Sequence, residues 1–129
     1  MAIAKPVPVD WEAIARANAD LQERLFNEGV HLVYDLDGDT LFVDIGEGGP
    51  AITKHLLAGM YVRIDPDTFR ILGCTVLAFA SEFLAKNKLA RKAFPDAMTA
   101  LKAGGGKVDW KGQEATRVLP LFEGALTVA

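Results

Sequence analysis

The chain is poor in the residues from which chemistry is usually built. It has one cysteine, Cys74, so no disulfide can form within it. Its two histidines, His31 and His55, stand 24 residues apart, a spacing that matches no metal-ligand motif. No apolar run reaches the roughly 20 residues that a membrane-crossing helix needs. Positive charge is not in excess either. There are 14 Lys and Arg against 17 Asp and Glu, a net of −3, whereas proteins that coat nucleic acid are strongly basic. The opening stretch MAIAKPVPVDWE lacks the apolar core of a signal peptide, so the expected compartment is the cytoplasm, with no membrane partner.

What is present is an ordinary globular composition: 129 residues, 50% hydrophobic and 24% charged. That is one domain, large enough to bury about two thirds of its surface without a metal or cofactor. Charge is uneven along it. Residues 1–79 hold six basic and twelve acidic groups, and residues 80–129 hold eight and five. Two halves of opposite sign attract within a fold or across a dimer. The basic cluster Lys86, Lys88, Arg91 and Lys92 could instead form a phosphate-binding patch, although such clusters on helices are usually solvated faces.

Periodicity gives an α+β domain over 1–129. Asp10 is a good N-cap, and Trp11, Ile14, Ala15, Asn18, Leu21 and Leu25 recur at helical spacing, so one amphipathic helix is expected over 10–28. The period then changes to two. Val30, Leu32 and Tyr34 alternate with polar or smaller residues, as do Leu41, Val43 and Ile45, then Met60, Val62 and Ile64. Ala51–Leu57 is a weaker strand, and Phe69–Leu77 is a further one in which Gly73 predicts a bulge or bend. The short Asp- and Gly-rich connections predict an antiparallel meander of four to five strands over 30–79. Helices follow over 81–103, with Ser81 as an N-cap, and then a loop and apolar arm over 104–129. Val33, Phe42, Tyr61 and Leu72 fall out of phase with the main alternating set, so both sheet faces carry apolar groups. Homo-oligomerisation would cover part of that surface.

Two strings imitate catalytic motifs. The run His31–Leu41 resembles the DxDGT nucleophile motif of haloacid-dehalogenase-type phosphatases, but Asp39 stands between Gly38 and Thr40. An alternating strand follows at once, where that chemistry needs a parallel α/β sheet. Asp35, Asp37 and Asp39 also fall on positions 1, 3 and 5 of an EF-hand loop. Thr40 stands where its glycine belongs and Gly46 where its glutamate belongs, so an EF-hand is excluded. These three aspartates remain the metal candidates, for casual binding of a hard cation. Gly104-Gly105-Gly106-Lys107 lacks the following Ser/Thr and helix of a phosphate-binding loop, and reads as a helix stop. Cys74 in a strand reads as a small core residue. No catalytic constellation emerges.

Tyr34-Asp35, Asp39, Leu41-Phe42-Val43, Gly59-Met60-Tyr61-Val62, Asp65, Ile71-Leu72-Gly73 and Val76-Leu77 together resemble the small prokaryotic domain-of-unknown-function family 2283. The family pattern is roughly YDxxxDxLYI followed by two further strands, and the likeness covers about residues 30–84. Cys74-Thr75 departs from it, since the family commonly has an apolar residue and Glu there. The resemblance implies an antiparallel meander capped by a helix, and no established activity. Some relatives are encoded beside ribonuclease-like toxins, which implies an antitoxin or partner-binding role.

The expectation is therefore a non-enzymatic interaction module that needs no cofactor. It would dimerise and bind a partner, such as a small toxin-like protein, through Phe42, Tyr61, Leu121 and Phe122, because aromatic anchors dominate interfaces. The alternative is a small cation-dependent hydrolase using Asp35, Asp37 and Asp39. Nucleic acid binding through Lys86–Lys92 ranks third.

Overall fold

The computed structural model describes residues 11–57, 59–86, 88, 91 and 97–122. In chain order these form α1 (Trp11–Ala17), α2 (Leu21–Glu28), β1 (Val30–Asp35), β2 (Thr40–Ile45), β3 (Ile52–Leu57), β4 (Met60–Ile64) and β5 (Ile71–Val76). A wide π-type turn over Phe79–Phe83 then runs into α3 (Leu84–Lys86). The chain closes with α4 (Ala97–Ala103), β6 (Lys107–Trp110) and a 3₁₀ helix over Ala115–Leu121. The α+β class holds, with every strand pair antiparallel and a sixth strand added.

The sheet is not a simple meander. Its order is β3-β4-β5-β2-β1-β6. The hairpin β1–β2 and the meander β3–β4–β5 are two separate units joined side by side through β2 and β5. The link between β2 and β3 must therefore pass β5 and β4, about 14 Å at the usual strand spacing. Its six residues, 46–51, reach about 20 Å when extended. The segment expected to be a loop supplies β6. Val108 and Trp110 alternate onto the inner face opposite Leu32 and Val30. Two apolar positions in a four-residue strand are too few to register as a period.

The Gly-rich turn feeds β6 directly. Gly106 has φ +88°, and a Cβ there would press on the Tyr34 carbonyl oxygen at 2.7 Å. Its N–H donates to Leu101 and its carbonyl accepts from Tyr34 N–H at 2.7 Å. The Gly104–Gly106 run thus stops α4 and starts the last strand pairing. It does not cradle a phosphate.

The inner sheet face carries the core. Val30, Leu32, Tyr34, Leu41, Val43, Ile45, Met60, Val62, Ile64, Ile71, Cys74 and Val76 are all buried there. Above them pack Ile14, Leu21 and Leu25 of the two first helices, Phe79, Leu101, and Val118, Leu121 and Phe122 of the C-terminal segment. Leu121 and Phe122, expected at an interface, belong to this core, with 1% and 0% exposure. The apolar arm is, as far as Phe122, a lid on its own sheet. Gly124–Ala129 lie outside the described residues.

The single helix expected over 10–28 is two helices, and the proposed N-cap Asp10 lies outside the described residues. Asn18 explains the break. Its Nδ2 donates to Ile14 O (2.7 Å) and Phe69 O (2.9 Å), and its Oδ1 accepts from Ile71 N–H at 2.7 Å. A side chain satisfying backbone groups on the β4–β5 turn holds the chain in a corner. Arg70 strengthens the corner, reaching Ala17 O at 3.3 Å and Asp20 Oδ2 at 3.1 Å. On Asp20, the Arg70 hydrogen bond leads in holding the carboxyl below its ordinary value. Among the described residues no helix is long and apolar enough to cross a membrane.

Candidate functional site

Two regions carry the residues singled out from sequence: the acidic β1–β2 turn and the outer face of the sheet.

In the turn, Asp39 occupies the left-handed region at φ 47°. That conformation is open to Asp and Asn more than to most residues. It aims the carboxylate at the start of the π-type turn. Oδ1 accepts from the Tyr34 hydroxyl at 2.5 Å and from Ala80 N–H at 2.8 Å, and Oδ2 accepts from Ser81 N–H at 3.0 Å. Its own carbonyl accepts from Phe79 N–H at 2.9 Å. Asp39 is thus a helix cap delivered from 40 residues upstream, and Ser81, expected to be that cap, is a donor to it. Burial works against ionisation of Asp39, but the Tyr34 hydroxyl and the amides of Ala80 and Ser81 outweigh it and hold the carboxyl down to about 2. Burial, and then the Asp39 carboxylate, push the Tyr34 hydroxyl up to about 12.

Asp35 is also engaged in the turn, where its Oδ1 accepts from Asp37 N–H at 3.1 Å. Asp37 is exposed. Among the described residues no three His, Cys, Asp or Glu side chains come together as a metal-holding group. The carboxylates of Asp35 and Asp39 hold a turn and a cap. A shallow cleft of about 410 Å³ beside them is lined by Tyr34, Asp35, Leu36, Asp37, Leu101 and Lys102, together with Gly105 and Gly106.

The outer face has a clearer order. Strand register aligns its side chains in two rows that cross all six strands. The first row runs His55, Tyr61, Thr75, Phe42, Val33, Lys107. The second runs Thr53, Arg63, Gly73, Asp44, His31, Asp109. All of these residues except Gly73 are half-buried or exposed, and Phe42 is 38% exposed. His55 and Tyr61 pack ring to ring at 5.0 Å.

Gly73 makes the charged row possible. The bulge expected from it is present as a register shift between Arg63 and Ile64 opposite Ile71–Gly73. With no side chain at Gly73, the Arg63 guanidinium lies flat across β5. There its Nη2 reaches Val43 O at 2.6 Å and Asp44 Oδ1 at 2.8 Å. A Cβ on Gly73 would sit 2.6 Å from that Nη2 and overlap the Val43 carbonyl oxygen. Beyond Asp44, His31 Nδ1 pairs with Asp109 Oδ1 and ties β1 to β6. Sequence reading singled out Phe42 and Tyr61 but missed Arg63, Asp44, His31 and Asp109. They alternate on the same strands, and only the register between strands shows them as one row.

The remaining candidates are dispersed. Lys86, Lys88 and Arg91 are exposed, and Lys92 lies outside the described residues. Cys74 is fully buried, and burial pushes its thiol up to about 12, so it is no nucleophile. In comparisons with protein families, curated proteins and solved structures, nothing matches this chain.

Proposed function

We propose that this protein is a non-enzymatic interaction module whose outer sheet face binds protein, both a second copy of itself and a small basic partner of the toxin-like kind. One observation carries the reading. Among the described residues no helix packs on that face, yet it presents Tyr61, Thr75, Phe42 and Val33 in one row beside a row of charged residues. An aromatic row flanked by charge suits an interface with an apolar centre and polar rim. The acidic balance of residues 1–79 and the exposed Asp109 favour a basic partner. The resemblance to domain-of-unknown-function family 2283 supports the same role.

The test is comparative co-purification from the native host, with wild type and Phe42→Glu. A stoichiometric small basic protein that accompanies wild type and is lost with Phe42→Glu is the expected result. A partner retained by Phe42→Glu and by Tyr61→Glu, both folded by circular dichroism, would remove the face from consideration.

A further inference from the structure

We infer that the cleft between the C-terminal end of α2 and the exit of β2 binds a free α-amino acid with an apolar side chain. The inference is independent of the outer face and its partners.

The cleft holds about 590 Å³. It is bordered by Arg24 and Glu28 on α2, by Ile45, Gly46 and Gly48 where β2 ends, and by Leu72 on β5. Sites for small molecules are commonly of this size, with apolar walls and a few placed polar groups.

Arg24 is the unusual member. Its side chain is 9% exposed, and among the described residues it is the one buried charged residue. Two anchors fix the guanidinium. Nε donates to Glu28 Oε2 at 3.1 Å, and Nη1 donates to Asn18 Oδ1 at 3.4 Å. Asn18 is itself locked by Ile14, Phe69 and Ile71. Nη2 has no partner among the described residues. It is not sealed in, because the one buried side-chain atom left without a partner there is Arg63 Nε. Nη2 therefore opens to the cleft that Arg24 borders. A guanidinium held away from bulk water with donors to spare favours an anionic oxygen, since charge-assisted hydrogen bonds are the strong ones.

Glu28 supplies the complement. Its Oε2 is taken by Arg24, and its Oε1 has no partner among the described residues. Oε1 lies against Gly46, where a Cβ would come within 2.8 Å of it. Gly46 has φ +58°, so glycine serves both the turn and the space. One ion pair thus leaves a free donor and a free acceptor side by side. An ammonium and a carboxylate carried on one carbon match that pair, the carboxylate on Nη2 and the ammonium on Oε1. The ligand's side chain then lies along Ile45 and Leu72. Glu47, exposed at the rim, adds a second negative charge. A simple anion such as phosphate is repelled by both carboxylates, and a simple amine leaves Nη2 unmet. A zwitterion satisfies both, which is how the site discriminates.

The site is preformed, so little is spent on ordering it. The ligand has only about nine heavy atoms and the cleft is open on one side, which sets Kd at about 0.1–1 mM.

Amide NMR titration of the full chain with L-leucine and L-phenylalanine tests this. Saturable shifts are expected at the amides of Gly46, Gly48 and Leu72. N-acetyl-leucine lacks the ammonium and leucine amide lacks the carboxylate, and each is expected to bind at least about tenfold more weakly than leucine. Glu28→Gln keeps the shape and removes the charge, and is expected to weaken leucine about tenfold. The two analogues carry the test on wild type if that variant disturbs Arg24. No saturable shift at these amides with either amino acid at about 10 mM overturns the inference. So does an analogue that matches leucine, or a folded Glu28→Gln that binds it unchanged. Each of these results leaves the outer face to be judged by co-purification.

Discussion

Replacing Asp39 by Asn tests the account of the β1–β2 turn. Asn tolerates the left-handed conformation at φ 47° as well as Asp does, so the backbone is not the variable. The charge is removed, and one of the three donors from Tyr34, Ala80 and Ser81 now faces an amide NH₂. A carboxyl lowered from 3.8 to about 2 corresponds to roughly 2.4 kcal/mol at about 1.36 kcal/mol per pH unit. Partial solvent contact reduces this to about 1–2 kcal/mol. The sign follows from the lowered value. The contribution is complete above the unfolded-state value of 3.8 and is lost as pH falls through about 2. Urea unfolding of wild type and Asp39→Asn should differ by about 1–2 kcal/mol at pH 7, and the two should converge between pH 4 and pH 2. A difference that stays constant from pH 7 to pH 2.5 would refute the reasoning, because a neutral contact has no such dependence.

Gly73→Ala should destabilise by about 1–3 kcal/mol in thermal or urea unfolding. Adding Arg63→Ala should not restore stability, because the Val43 carbonyl still blocks the new methyl. Asn18→Leu orphans Ile71 N–H and Phe69 O and should cost about 2–4 kcal/mol; a neutral result would mean the corner holds without its amide. Cys74 should react with a thiol reagent only at the rate of global unfolding, and fast labelling of native protein would contradict its burial.

The period-2 strands were legible because each places three buried residues on one face. Val30, Leu32 and Tyr34 show this in β1, and Met60, Val62 and Ile64 in β4. The glycine in β5 marked an irregularity, a bulge or a bend, and the register shows a bulge. Three other features were not legible. Asn18 sits at a position consistent with the helical stripe, and only the distant Phe69 and Ile71 reveal that it ends a helix. Asp39 reads as a turn residue until the start of the next helix arrives above it. Strand order depends on how far the link from β2 to β3 travels, which composition does not specify. The candidate face was half visible: its aromatics could be named from one strand at a time, but its charged row exists only across strands.

The pairing of β1 with β6 has a consequence for how the chain acquires its structure. Val30 finds its neighbour at Trp110, so one side of an early strand waits for residues near the far end of the chain. During synthesis the β1–β2 hairpin emerges first and holds an open hydrogen-bonding edge until Lys107–Trp110 is released. The C-terminal 3₁₀ segment, which covers the core, follows later still. Contacts of this sequence separation slow folding relative to helical bundles of the same size. Over that interval the nascent protein is most exposed to pairing with a neighbour's strand. A chain cut short before residue 107 would keep that hazard permanently.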